Sequence, residues 1–124
     1  MTARLALMLG AALGFAAVAL GAFGAHALKA RLGADMAQVW QTAVLYHGWH
    51  ALALLAVGLL LVQRPDATAV AIAAWLFVAG VVLFSGSLYL LALTDVRALG
   101  GVTPLGGVAL LAGWAALAWG AWKA

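Results

Sequence analysis

The stretch LALMLGAALGFAAVALGAFGAHA, residues 5–27, decides the fold class. No charged residue lies between Arg4 and Lys29, and about 20 mainly apolar residues are enough for a helix to cross a bilayer. Three further runs have the same character, at 43–62, 68–93 and 104–122. Because their connections are short, the sequence predicts an all-α integral membrane protein. We expect a four-transmembrane-helix bundle of up-down-up-down topology that forms a single membrane domain over residues 1–124.

The composition of the whole chain supports this class. Of its 124 residues, 69% are hydrophobic and 7% are charged, whereas soluble domains carry about 25% charged residues. Lipid must therefore cover most of the surface. The chain has no cysteine, which excludes disulfides and thiolate metal sites. Its net charge of +3 comes from basic residues scattered among the segment ends, so we expect no nucleic-acid partner.

The breaks between the apolar runs carry turn and capping residues. Pro65 interrupts the chain after the second run. Asp35 opens a variant of the capping box, which predicts that the second helix begins near Met36. Thr103 is expected to be the N-cap of the fourth helix, with Pro104 at its first position.

The first apolar run also resembles a cleavable signal peptide, because AHA at 25–27 follows a long apolar stretch. The apolar core of a signal peptide has about 7–15 residues, and this run is longer, so we expect the segment to be retained. The basic residues divide three against three between the two membrane faces. The positive-inside rule therefore gives no orientation from these side chains. We expect both termini in the cytoplasm.

Small residues repeat along one face of the first and last helices. Membrane helices associate through close backbone approach, so small residues mark interfaces. We expect these two helices to pack against each other, antiparallel, or against a second copy of the chain. The residues are Gly10, Gly14, Ala17, Gly21 and Gly24 in the first helix, and Gly106, Ala109, Gly113, Ala116 and Gly120 in the fourth.

Tryptophan residues lie near both membrane surfaces. Trp119 and Trp122 stand beside Lys123, a combination typical of an interfacial anchor. Trp40 is expected to anchor the opposite surface in the same way.

Polar side chains concentrate in one half of the membrane. In an up-down-up-down topology, the end of the first helix, the start of the second, the end of the third and the start of the fourth share one face. Ionisable residues within spans are costly and usually face the bundle interior or a cavity, so we interpret these side chains as a candidate one-sided polar pocket. Alternatively, the histidines could be satisfied within the bundle, and the serines could bond to their own helix. The candidates are His26, His47, His50, Ser85, Ser87 and Tyr89.

Four motifs make the chain resemble a known family. The sequence reads GAFGAHAL at 21–28, WQTAVLYHGWHALALL at 40–55, FSGSLYLLAL at 84–93 and TPLGG at 103–107. These resemble the small four-span membrane family catalogued as domain of unknown function 423, which has a eukaryotic relative called transmembrane protein 256. The resemblance implies an intact multi-pass protein of the bacterial inner membrane. It implies no activity, substrate or catalytic residues.

Three functional hypotheses remain open from the sequence. The first is binding or passage of a small solute, ion or lipid headgroup in the polar pocket. The second is a structural or assembly role through helix packing with partners or in a homo-oligomer. The third is a metal site formed by the three histidines, or an enzyme with a serine nucleophile. Because no carboxylate lies within a span, we lean against catalysis and predict no catalytic residue and no cofactor. The lipid bilayer is the one certain partner.

Overall fold

The computed structural model describes residues 1–123, which form four long helices and one short 3₁₀ helix. The helices are α1 (Ala3–His26), α2 (Ala34–Gln63), α3 (Thr68–Thr94) and α4 (Thr103–Trp122), with the 3₁₀ helix at Arg97–Gly101. The described residues contain no strand. Four helical segments are long and apolar enough to cross a membrane. The prediction of an all-α, four-span membrane protein is therefore confirmed.

The helix ends differ in detail from the predicted ones. The N-cap of α2 is Gly33, without a side-chain capping bond, and Asp35 already lies in the first turn. The predicted capping box does not form there. The carboxylate instead lies near the positive end of the helix dipole. Thr103 is the first residue of α4 and not its N-cap, which is Val102. The Thr103 hydroxyl lies 2.6 Å from the Ser87 hydroxyl, so it joins two helices instead of capping one.

Each helix packs along its length against its neighbour in the sequence: α1 against α2, α2 against α3, and α3 against α4. The small residues follow this order, since Gly10 lies against Leu55 of α2 and Gly113 against Phe77 of α3. The expected pairing of α1 with α4 is corrected accordingly. The short connections hold consecutive helices side by side. The small residues of α1 and α4 therefore contact the neighbouring helix of the same hairpin, α2 and α3 respectively.

The most deeply buried side chains belong to the two central helices, α2 and α3. The largest side chains with under 2% exposure all belong to these two helices; they are Phe77, Leu54, Leu61, Val57, Val70 and Ser85. The outer helices present large apolar side chains outward, such as Phe15 of α1 with 78% exposure. Lipid replaces water around these side chains, so this exposure is the expected state of a membrane-spanning helix.

Candidate functional site

His50 is held by two hydrogen bonds that determine its tautomer. Its Nδ1 lies 2.6 Å from the Tyr46 carbonyl oxygen, and its Nε2 lies 2.9 Å from the indole nitrogen of Trp114 on α4. An indole N–H can only donate, so Nε2 accepts, and Nδ1 carries the proton that it donates to the carbonyl. His50 is therefore assigned as a neutral imidazole with both nitrogens satisfied. Its lone pair is not free to bind a metal.

His47 joins α2 to α3 through Tyr89. Its Nδ1 lies 2.8 Å from the Tyr89 hydroxyl, and the side chain is only 4% exposed. Within residues 1–123, its Nε2 is the single buried side-chain nitrogen or oxygen that lacks a hydrogen-bond partner. The backbone of Leu13 on α1 lies near the His47 ring. If Tyr89 donates its hydroxyl proton to Nδ1, the neutral imidazole carries its own proton on Nε2.

The two serines also connect helices. Ser85 donates to the Ala43 carbonyl of α2 at 2.8 Å. Ser87 donates to the Phe84 carbonyl of its own helix at 2.9 Å and shares its second hydrogen bond with Thr103 of α4. These hydroxyls are engaged in helix packing, so neither is placed as a free nucleophile beside a histidine.

Five of the six predicted pocket residues thus lie in the helix interfaces, where they hydrogen-bond to groups of the protein. His26 lies apart from them, exposed at the end of α1. Among the described residues, no group of three or more histidine, cysteine, aspartate or glutamate side chains could hold a metal ion. The structure therefore does not bring His26, His47 and His50 together as a metal triad.

The bond between His50 and Trp114 can be measured by a double-mutant cycle. We expect His50→Leu and Trp114→Phe each to lower the free energy of unfolding by about 1 kcal/mol, since each leaves its partner without a hydrogen bond inside the membrane. The double variant should lose clearly less than the sum of the two, when unfolding is measured in bicelles. Trp75→Phe, at a side chain that is 51% exposed, is the matched control and should change little. Strict additivity of the two substitutions would contradict the bond.

A cavity of about 380 Å³ lies between the end of α1 and the start of α2. Its lining includes Trp40 and Leu28, both only 4% exposed. Lys29 and Gln41 contribute the long polar side chains of the lining, and both are exposed. The cavity is therefore an apolar hollow with a polar rim, on the membrane face that carries the α1–α2 and α3–α4 connections.

Trp40 shapes this cavity from inside the protein. Its indole N–H donates to the Leu20 carbonyl of α1 at 2.9 Å, and its ring centroid lies 4.8 Å from that of Tyr89. A Cβ atom at Gly24 would overlap the indole ring, so glycine is required where the ring crosses α1. The expected role of Trp40 as a lipid-facing anchor is corrected. Its ring turns toward α1 because the Leu20 carbonyl there accepts a hydrogen bond from the indole N–H.

The rim of the cavity carries positive charge without a matching carboxylate. Arg97, near the same face, pairs with Asp95 at 3.1 Å. Within the part of the chain that the structure describes, Lys29 and Arg31 have no acidic side chain within 4 Å. The Lys29 ammonium group is therefore available to an anion that enters the cavity.

Comparison with known proteins gives a consistent picture. The family described as "Protein of unknown function (DUF423)" matches residues 20–107. The chain is 47% identical over 94 residues to the "UPF0382 membrane protein YwdK" of Bacillus subtilis strain 168, and the matched region covers 76% of each chain. It is 43% identical over 103 residues to the "UPF0382 inner membrane protein YgdD" of Escherichia coli K12, and the matched region covers 78% of this chain and 73% of that relative. No solved structure matches the chain.

The residues matched by the family include the cavity but only part of the helix contacts described above. The range 20–107 contains the complete lining of the cavity, and it also contains His47, Ser85 and Tyr89. Most of the small-residue face of α1 and the Trp114 partner of His50 lie outside it. The family match therefore includes the whole cavity and leaves out most of the small-residue face of α1.

Proposed function

Since this chain belongs to the DUF423 family of proteins of unknown function, we propose that it binds the headgroup of an anionic lipid in the cavity between α1 and α2. The chain is a multi-pass membrane protein, and we propose the bacterial inner membrane as its location. With both termini in the cytoplasm, as we expect, the cavity opens to the periplasmic leaflet. The observation that carries the proposal is the unpaired Lys29 at the rim of an apolar hollow at the membrane surface.

The dimensions and chemistry of the cavity support an amphiphilic ligand. Its volume of about 380 Å³ lies within the usual range for small-ligand sites, roughly 300–1,000 Å³. A lipid phosphate would form a charge-assisted hydrogen bond with the Lys29 ammonium group, and the Gln41 amide could donate a second bond. The glycerol backbone would then lie over the apolar floor. A lipid is also the most abundant molecule at this depth in the membrane.

The polar residues inside the bundle favour surface binding over passage of a solute or ion. His47, His50, Ser85 and Ser87 are all bonded to groups of the protein. These bonds hold neighbouring helices together, as expected of polar groups between membrane helices. Passage would require several of them to break at once, whereas binding at the cavity requires none to break.

Substitution of Lys29 tests the proposal. We expect Lys29→Ala to weaken binding of phosphatidylglycerol about fivefold, since a basic residue near an anionic lipid surface contributes about 1 kcal/mol. Native mass spectrometry of the purified protein with added lipid would measure this affinity. Binding of zwitterionic phosphatidylethanolamine should change much less, because its net charge is zero.

Lys123 offers a matched control, because this lysine lies at the opposite membrane face, with its Nζ 4.9 Å from the centre of the Trp119 ring. Lys123→Ala should leave the affinity for phosphatidylglycerol unchanged within error. A second pair of variants tests the hollow itself: Ala25→Leu fills the cavity that Ala25 lines, and Ala22→Leu adds the same bulk on an exposed position outside it. If both lysine variants lose affinity equally, binding reflects general surface charge, and the proposed site is wrong.

A further inference from the structure

An apolar groove continues below the headgroup cavity along the same two helices. Its volume is about 370 Å³. Gly14, Phe15 and Val18 of α1 form one wall, and Gly48 and Leu52 belong to the other wall on α2. The lining contains no charged side chain, so the groove offers contacts to hydrocarbon alone.

The groove and the cavity lie on the same faces of α1 and α2. Gly14 precedes Gly21 by seven residues on α1, and Gln41 precedes Gly48 by seven residues on α2. Seven residues make nearly two turns of 3.6 residues, so each pair lies on one side of its helix. Gly21 and Gln41 line the cavity, whereas Gly14 and Gly48 line the groove. The two hollows therefore follow one another along the same face of the α1–α2 hairpin, and we call them together the α1–α2 furrow.

Two of the glycines that line the groove, Gly14 and Gly48, differ from the third, Gly10, which packs the two helices together. A Cβ atom at Gly10 would lie 2.8 Å from the Cδ2 atom of Leu55, so that glycine permits close helix contact. A Cβ atom at Gly14 would meet nothing within 4 Å, and one at Gly48 would meet only Ala17, at 4.0 Å. Contact between α1 and α2 therefore does not require glycine at these two positions. They leave space in the furrow.

The part of the furrow that lies deeper than Val44 matches one leaflet of the bilayer. From Val44 in the cavity to Leu55 in the groove, α2 advances eleven residues, a rise of about 16 Å. The hydrocarbon of one leaflet is about 15 Å thick, half of the roughly 30 Å core. The furrow therefore runs from the headgroup level to the middle of the membrane, which is the path of a single acyl chain.

We propose that the α1–α2 furrow binds one long-chain anionic phospholipid, with its phosphate at Lys29 and one acyl chain lying over Gly14 and Gly48. This inference rests on the proposed function, because the headgroup cavity fixes the position of the polar end of the lipid. The acyl chain enters the groove from surrounding lipid and not from water, so the hydrophobic effect does not contribute to its binding. The furrow must hold the chain through close packing contacts, and added bulk at Gly14 should remove them.

Two lipids with the same headgroup separate the chain site from the headgroup site. We expect Gly14→Leu to weaken binding of long-chain phosphatidylglycerol roughly five- to tenfold, the scale on which a fitted apolar site responds to a few methylene groups. Dihexanoyl phosphatidylglycerol, whose chains end near the headgroup, should bind this variant as it binds the wild type. Gly86→Leu is the matched control, because a Cβ atom at that glycine of α3 also meets nothing within 4 Å. It should affect neither lipid.

Each other result has a defined meaning. If Gly14→Leu leaves long-chain binding unchanged while Lys29→Ala still weakens both lipids, the acyl-chain site is wrong and the headgroup site stands. If neither lipid depends on Lys29, the proposed function fails, and the furrow proposal fails with it. If Gly14→Leu weakens both lipids equally, the furrow does not act on the chain and the inference is overturned. Gly48→Leu, on the facing wall, repeats the test, and the melting temperature of each variant verifies that it folds.

Discussion

Replacement of Trp40 by alanine is expected to lower the free energy of unfolding by about 3 kcal/mol and to abolish selective binding of anionic lipid. The substitution removes the indole bond to the Leu20 carbonyl and the ring packing against Tyr89 and Gly24. Large aromatic-to-alanine changes in protein cores cost about 3–5 kcal/mol. The lower value applies here because lipid is as apolar as the core, so the transfer contribution is smaller than in water. The lining of the headgroup cavity collapses with the ring.

Trp40→Phe separates the hydrogen bond from the packing. It keeps an aromatic ring against Tyr89 but removes the N–H, so we expect a loss of about 1 kcal/mol and weakened but measurable lipid binding. Unfolding in bicelles and native mass spectrometry with phosphatidylglycerol provide the two readouts. Trp49→Ala is the control, at a tryptophan that is 55% exposed on the same helix. Equal losses for Trp40→Ala and Trp49→Ala would show that the indole of Trp40 has no special structural role.

The second large effect is expected at Gly106, where α4 lies directly on the backbone of α3. A Cβ atom at this position would overlap the Phe84 backbone nitrogen and lie 2.7 Å from the Phe84 Cα atom. A side chain could rotate away from such a contact, but backbone atoms cannot, so the two helices must separate. We expect Gly106→Ala to cost about 3 kcal/mol, the upper end of the usual range for overpacking. The nearby hydrogen bond between Ser87 and Thr103 should weaken in the same variant.

The adjacent glycine supplies the control for this substitution. A Cβ atom at Gly107 would lie 3.8 Å from the Phe84 ring, an ordinary van der Waals contact. Gly107→Ala should therefore be neutral or slightly stabilising, because alanine favours a helix over glycine by up to about 1 kcal/mol. Thermal unfolding of both variants in the same detergent would compare them directly. Similar melting temperatures for the two variants would contradict close backbone contact at Gly106.

The sequence alone predicted the four spans because uncharged apolar runs of sufficient length have few other stable structures. It also predicted that α2 ends before Pro65, as observed, since its last residue is Gln63. The partner of each small-residue face could not be predicted. A glycine repeat shows that a helix approaches another closely, but it does not say which one, and α1 uses its repeat against α2.

The candidate site was predicted less completely than the fold. The depth of the polar side chains follows from sequence position, whereas their pairing depends on helix rotation, which places the Trp114 indole against His50. The cavity between α1 and α2 could not be predicted from Lys29, because in the sequence this lysine indicates only the end of a span. A signal for it was present in GAFGAHAL and WQTAV, since Gly24 and Trp40 lie at comparable depths on either side of the first connection. A bulky ring opposite a glycine is a contact that can be proposed from sequence.

The order in which the helices pack has a consequence for how the protein is made. A growing chain releases its N-terminal segments first, so α2 meets α1 as it enters the membrane, and α3 and α4 each meet the preceding helix on arrival. No helix has to wait in lipid for a partner that has not been synthesised. Among the described residues, two hydrogen bonds reach α4 from outside this order: the Trp114 indole donates to His50 of α2, and Arg64, which follows α2, donates to the Gly120 carbonyl at 2.9 Å. They can form only after the last helix is in place, so they complete the assembly instead of directing it.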